Sequence, residues 1–211
     1  EWILLALGSA FVYEDRMIEN EGKFENVVAN CHKVPADKFN RRLLDVLEVK
    51  TVFIEMIAEV RKVNPAVKFI FTISPVRHLR EGFIENNRSK ATLIQAVHTL
   101  TNDTDIFYFP AYELIIDDLR DCRFYAEDMV HPNYAATNYV WEKFVTACID
   151  ETSQELMKQI NEINAAINHK PFNETSVAHQ AFKLKYWNIL QSMQQKYPYL
   201  HLTEQINYFA T

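Results

Sequence analysis

Residues 68–78 read KFIFTISPVRH, and this stretch decides the fold. Lys68 to Ile73 is a short run rich in aromatic and branched side chains, the length of a buried strand, and Ser74-Pro75 closes it with a loop signal. Just upstream, Phe53, Met56, Ile57, Val60 and Val63 recur at the i, i+3, i+4, i+7 spacing of a helix face. That helix should stop at Asn64-Pro65, because the residue before a proline avoids helical backbone. Working outward, Trp2 to Leu7 and Asp105 to Phe109 read as two further strands. Leu93, Val97 and Leu100 mark a second helix after Asn86-Asn87, and a third is expected from Pro132, with Ala136, Val140, Phe144 and Ala147 on one face. Strands alternating with helices predict an α/β fold whose parallel sheet is covered on both faces, with ligands at the carboxyl ends of the strands. The loops after Leu7, Ile73 and Phe109 should therefore open on one edge.

Three strands make a thin sheet, and residues 1–8, EWILLALG, open directly inside a strand. Further N-terminal strands are expected upstream of this chain, leaving an edge through which copies can self-associate. After Asp150 the pattern changes. Leu156, Ile160, Ile163 and Ile167 outline one amphipathic helix, Lys170-Pro171-Phe172-Asn173 breaks it, and a second helix runs from about Thr175 to Lys196. The expected organisation is an α/β domain over residues 1–150 and a helical hairpin over 151–211. The hairpin is either packed on the domain or used as an oligomer or partner surface.

Composition narrows the function classes. The 211 residues are 48% apolar and carry a net charge of −6, which suits a soluble globular chain and argues against a nucleic-acid surface. No apolar run approaches the ~20 residues that span a bilayer, so no membrane partner is expected. Cys31, Cys122 and Cys148 are odd in number and show no CxxC pair. Free, largely buried thiols in a reducing, cytoplasmic setting are the expectation, with no metal and no cofactor.

The strongest chemical signal is Asp128-Met129-Val130-His131-Pro132. His131 precedes a proline and so should be extended, on the loop that enters the last helix of the α/β domain. An Asp three residues back can accept a hydrogen bond from one ring nitrogen and leave the other free to take a proton. The plainer reading is an Asp capping a turn beside an exposed His. Ser74, Arg77 and His78 stand where the middle strand meets its loop and can contact a substrate carbonyl, carboxylate or sugar hydroxyl; alternatively they form a solvated turn. Gly8 and Ser9, at the end of the first strand, offer close backbone approach and N–H donors for an oxyanion, or simply a turn. Asn30 and His32 form a polar loop cluster that either lines the site or is solvated.

Four stretches, LALGSAFVYE, ANCHKVPADKFNRRLL, FTISPVRHLREGFIENNRSKATLIQAV and YFPAYELIIDDLRDCRFYAEDMVHPNYAATNYVWEKF, together resemble the bacterial GSCFA domain family of the SGNH (GDSL-like) hydrolase superfamily. The resemblance spans roughly residues 1–144. It implies a flavodoxin-like three-layer α/β/α sandwich, a serine nucleophile after the first strand, oxyanion donors on following loops, and an Asp-x-x-His pair that maps onto Asp128 and His131. The Gly-Ser-Cys-Phe-Ala motif that names the family is absent from these residues, so the nucleophile is expected upstream. Gly8-Ser9-Ala10 stands where many superfamily members have Gly-x-Asn, so Ala10 brings no side-chain donor, a place Asn30 can fill.

Two functions follow. One is a serine esterase or acyl-transfer enzyme acting on an O-acylated small molecule or glycan, with His131 as general base and Asp128 as its orienter. The other is a non-catalytic carbohydrate-binding or interaction module that uses the same cleft through Tyr and Trp residues, His32, Arg77 and His78. Ser74 as the nucleophile is a third assignment, which the Pro75 turn disfavours.

Overall fold

A computed structural model describes residues 1–18, 26–29, 34–102 and 104–210. They form two compact units, Glu1–Phe144 and Val145–Thr211. The first is built on three parallel strands, β1 (Trp2–Leu7), β5 (Lys68–Ile73) and β6 (Ile106–Phe109), in the order β1-β5-β6. The register pairs Leu7 with Ile73 and Thr72 with Phe109, so the three carboxyl ends share one edge of the sheet, as the alternation predicts.

The segment between β1 and the first helix contains elements the sequence pattern does not reveal. Strands β2 (Phe11–Asp15), β3 (Val27–Val28) and β4 (Phe39–Leu43) form a second, antiparallel sheet in the order β3-β2-β4. All five residues of β2 are half-buried, so neither of its faces carries the in-out alternation that marks a strand. Arg42 ties this sheet to the next helix by binding Glu14 at 2.5 Å and Glu48 at 2.9 Å.

Helix α1 (Val46–Val63) begins at Asp45, whose carboxylate accepts from Glu48 N at 2.8 Å while Glu48 returns the bond to Asp45 N. This reciprocal cap supplies two of the unpaired N–H groups of the first turn with acceptors. The helix ends before Asn64-Pro65 as expected, although Val63, read as part of its apolar face, is 90% exposed. Helix α2 (Gly82–His98) starts one turn earlier than Asn86. Phe69, Phe71 and Ile73 of β5 are fully buried, in one core cluster with Val49 and Ile57 of α1 and Leu93, Ala96 and Val97 of α2.

The opposite face of the sheet is less complete than a parallel sheet predicts. On β1, Trp2 and Leu4 stay 54% and 53% exposed. Cover exists at the β6 side, where Phe144 of helix α4 (Tyr134–Cys148) meets Phe109 edge-on at 5.1 Å. This helix begins two residues after Pro132, capped by Asn133, whose Oδ1 accepts from Ala136 N at 3.1 Å. Between β6 and α4 lies the short helix α3 (Ala111–Glu113), continued by a π-helical turn over Leu114–Asp118.

The second unit contains α5 (Glu151–Ile167), α6 (Val177–Lys196) and α7 (Thr203–Ala210), so the expected hairpin gains a third helix. Ile163, Ala166, Leu190, Met193, Leu202 and Phe209 form its core. Helix α7 escapes a periodicity reading because eight residues give only one apolar pair, Ile206 and Phe209. Cys122 and Cys148 are free, but neither is in the core: Cys148 is half-buried, and Cys122 is exposed in a surface turn held by Asp121. Among the described residues, no helix is long and apolar enough to cross a membrane.

Candidate active site

The Asp128–His131 turn is clasped at both ends. Tyr125 and Pro132 form an isolated antiparallel bridge, Ala126 N donates to His131 O at 2.8 Å, and Asn133 N donates to Phe124 O at 2.9 Å. Inside the clasp, Asp128 Oδ1 accepts from the N–H groups of Val130 (2.9 Å) and His131 (3.0 Å). Its Oδ2 lies 2.6 Å from His131 Nδ1. Met129 pays for this tight geometry by adopting a left-handed backbone, φ 56°, which is strained for a residue with a Cβ.

The electrostatics follow from those contacts. The His131 N–H, the His131 ring and the Val130 N–H, in that order, hold the Asp128 carboxyl down to about 2. A folded-state value below the usual one means that the carboxylate stabilises the turn fully above the ordinary carboxylate range, and that this contribution is lost as pH falls through about 2. A carboxylate can only accept, so Nδ1 carries a proton, and in the neutral ring Nε2 is then the nitrogen with the lone pair.

A second polar cluster sits at the carboxyl end of β1. Lys90 of α2 is 1% exposed and donates from Nζ to the Gly8 carbonyl at 2.6 Å. Ser89 Oγ accepts from Ala10 N at 2.7 Å, and Ser9 Oγ accepts from Phe11 N at 3.1 Å. A methyl group on Gly8 would lie 3.1 Å from His78 Nε2, so any side chain there would push the ring back by a few tenths of an ångström. Burial first, and the Lys90 charge second, lower the His78 pKa. His78 N donates to Asn86 Oδ1 at 3.0 Å. Thus Gly8, Ser9 and His78 are brought together; Ser74 N donates to Leu7 O at 2.9 Å beside them, while Ser74 Oγ accepts from Val76 N at 3.3 Å within its own turn. Arg77 lines a cleft of about 230 Å³ with Asn86, Tyr112, Tyr125, Met129 and Val130, the last two from the Asp128–His131 turn. Asn30, Cys31 and His32 fall outside the described residues.

Asn86, Ser89 and Lys90 are site-forming residues that the sequence reading passes over. The signal was available: continuing the Leu93–Val97 stripe toward the N-terminus in steps of three and four reaches all three, so one face of α2 is apolar in its last turns and polar in its first.

Lys90 has a measurable consequence. Its burial lowers the ammonium from 10.5 to about 8. A lysine whose folded value is depressed opposes folding while it is charged, and the unfolded chain binds more protons between about pH 8 and 10.5, so this contribution rises with pH across that window. Lys90→Met should therefore compare most favourably with wild type near pH 7. By about pH 10 wild type should recover on the order of 2 kcal/mol relative to the variant, measured by urea denaturation. A pH-independent difference would show that Lys90 is not charged and buried as described.

Two family models match the chain: the GSCFA family over residues 1–144, and the C-terminal domain of GSCFA domain proteins over residues 160–211. No curated protein and no solved structure matches it.

Proposed function

Because the chain belongs to the GSCFA family, we propose that it is an SGNH-type hydrolase of flavodoxin-like architecture, an esterase or acyl-transfer enzyme for an O-acylated small molecule or glycan. The observation that carries this reading is the 2.6 Å contact between Asp128 Oδ2 and His131 Nδ1. It fixes the ring in the tautomer that a general base requires.

In this proposal a serine upstream of Glu1 is the nucleophile. His131 Nε2 takes the proton from its hydroxyl as the oxygen attacks the ester carbonyl. The tetrahedral intermediate collapses, the C–O bond to the alcohol breaks, and the imidazolium returns the proton to the departing alkoxide. Water, or an acceptor hydroxyl, then repeats the sequence on the acyl-serine. Ala10 and Phe11 already donate their N–H groups to Ser89 and Ser9, so the backbone oxyanion donors of the proposal are Gly8 and Ser9. The Lys90 bond to the Gly8 carbonyl fixes the orientation of that peptide unit.

The test is covalent. A fluorophosphonate probe should label the full-length gene product at one serine, releasing fluoride, and abolish hydrolysis of p-nitrophenyl acetate in proportion to labelling. Folded full-length protein that neither hydrolyses the ester nor takes the label would support the binding-module reading instead.

A further inference from the structure

The cleft beside the Asp128–His131 turn presents two sets of hydrogen-bond donors that have no acceptor among the described residues. Asn86 is 6% exposed and lines this cleft. Its Oδ1 is anchored by His78 N at 3.0 Å, which fixes the amide plane. The side-chain NH₂ on the same amide has no partner among the described residues. The NH₂ opens to the cleft and is not a buried orphan, so the acceptor of a ligand can take the place of water on it.

Arg77 lines the same cleft, and its guanidinium has no carboxylate partner among the described residues. This stands out in a chain with 28 acidic against 22 basic side chains. The carboxylates in this part of the fold are already engaged. Glu113 accepts from the Tyr108 hydroxyl at 2.9 and 2.8 Å, Asp117 binds Arg120 at 2.7 Å, and Asp128 is held by His131 and two backbone N–H groups. No acidic side chain lines the cleft, whose remaining wall includes Tyr112, Ile116 and Tyr125.

We propose that this cleft binds the free carboxylate of a small acyl ester, with the Arg77 guanidinium and the Asn86 amide as its two donors. The inference deepens the ester-hydrolase reading by naming a substrate class. A planar guanidinium and a fixed amide NH₂ together match a carboxylate's two acceptor oxygens, whereas a neutral ester group brings weaker acceptors and no charge. The tyrosine and isoleucine walls suit a short acyl chain, and about 230 Å³ admits only a small one.

Calorimetric titration of the full-length protein with monomethyl succinate and with dimethyl succinate tests this without requiring turnover. The monoanion should bind at least ~10-fold more tightly than the neutral diester, the scale expected for a hydrogen bond to a charged group. Arg77→Gln should bring the monoanion down to the diester's level, and Arg77→Lys should retain part of the difference. Arg77 is exposed, so these variants should fold even where changes at the buried Asn86 do not. Equal binding of the two esters, no binding of either up to ~20 mM, or an unchanged preference in Arg77→Gln would overturn the proposal. Binding that follows charge in a protein lacking ester hydrolysis would sustain this site while removing the hydrolase reading. Hydrolysis of p-nitrophenyl acetate with no preference for the anion would do the reverse.

Discussion

His131→Ala is expected to lower the hydrolysis of p-nitrophenyl acetate by full-length protein at least ~100-fold, the scale on which loss of a general base is felt. The variant removes the group that takes the nucleophile's proton, while Asp128 and the backbone clasp remain. The His131 side chain is 60% exposed and, among the described residues, its ring bonds only to Asp128, so the fold should be intact and the loss should appear in turnover and not in solubility or melting temperature. The pH dependence of the residual rate adds a second readout, because a rate limb belonging to an imidazole should vanish with the ring. Wild-type hydrolysis by His131→Ala would remove the catalytic assignment.

Asp128→Asn is expected to be nearly as damaging, which revises the simpler view that a residue that only orients the ring can be changed cheaply. Oδ1 of Asp128 is committed to two backbone N–H groups. An asparagine should keep its oxygen there and so turn its NH₂ toward His131 Nδ1. That group can only donate, so the ring must accept at Nδ1 and carry its proton on Nε2, the tautomer that cannot act as base. Losses between ~10²- and 10⁴-fold are expected. Asp128→Ala, by contrast, leaves the ring free to choose either tautomer and should retain more activity than Asp128→Asn. If Asp128→Ala is the slower variant, charge stabilisation of the imidazolium outweighs tautomer control.

What could be read in advance divides by the range of the interaction. The pair Asp128 and His131 is three residues apart, and the strand at 68–73 is decided by its own composition and the Pro-terminated helix before it, so both are legible in a linear scan. The β2–β4 pairing is not, because it joins Phe11 to Leu43 and Asp15 to Phe39 across a long excursion, and neither strand alternates cleanly. Lys90 illustrates a different obstacle. A lysine inside a helical pattern is by default a solvated one, and only the Gly8 carbonyl, 82 positions away, shows why this one is buried. The donors of Asn86 are hidden from a linear scan for the same reason, since the His78 N–H that orients its amide depends on the loop's shape.

The clasp around Asp128 has an implication of another kind. Closing a loop costs chain entropy that grows with its length, and the contacts that set the pair's geometry, from Phe124–Asn133 inward to Asp128–His131, span at most nine positions. They therefore assemble almost independently of the sheet, and a sequence can lose distant parts of a pocket without this turn feeling the change. The reverse holds for the Gly8–Lys90 contact, which exists only when β1 and α2 are both in place. Of the two, the long-range contact is the better gauge of whether a related chain retains a whole pocket, and the local pair, however well formed, can outlive the site it serves.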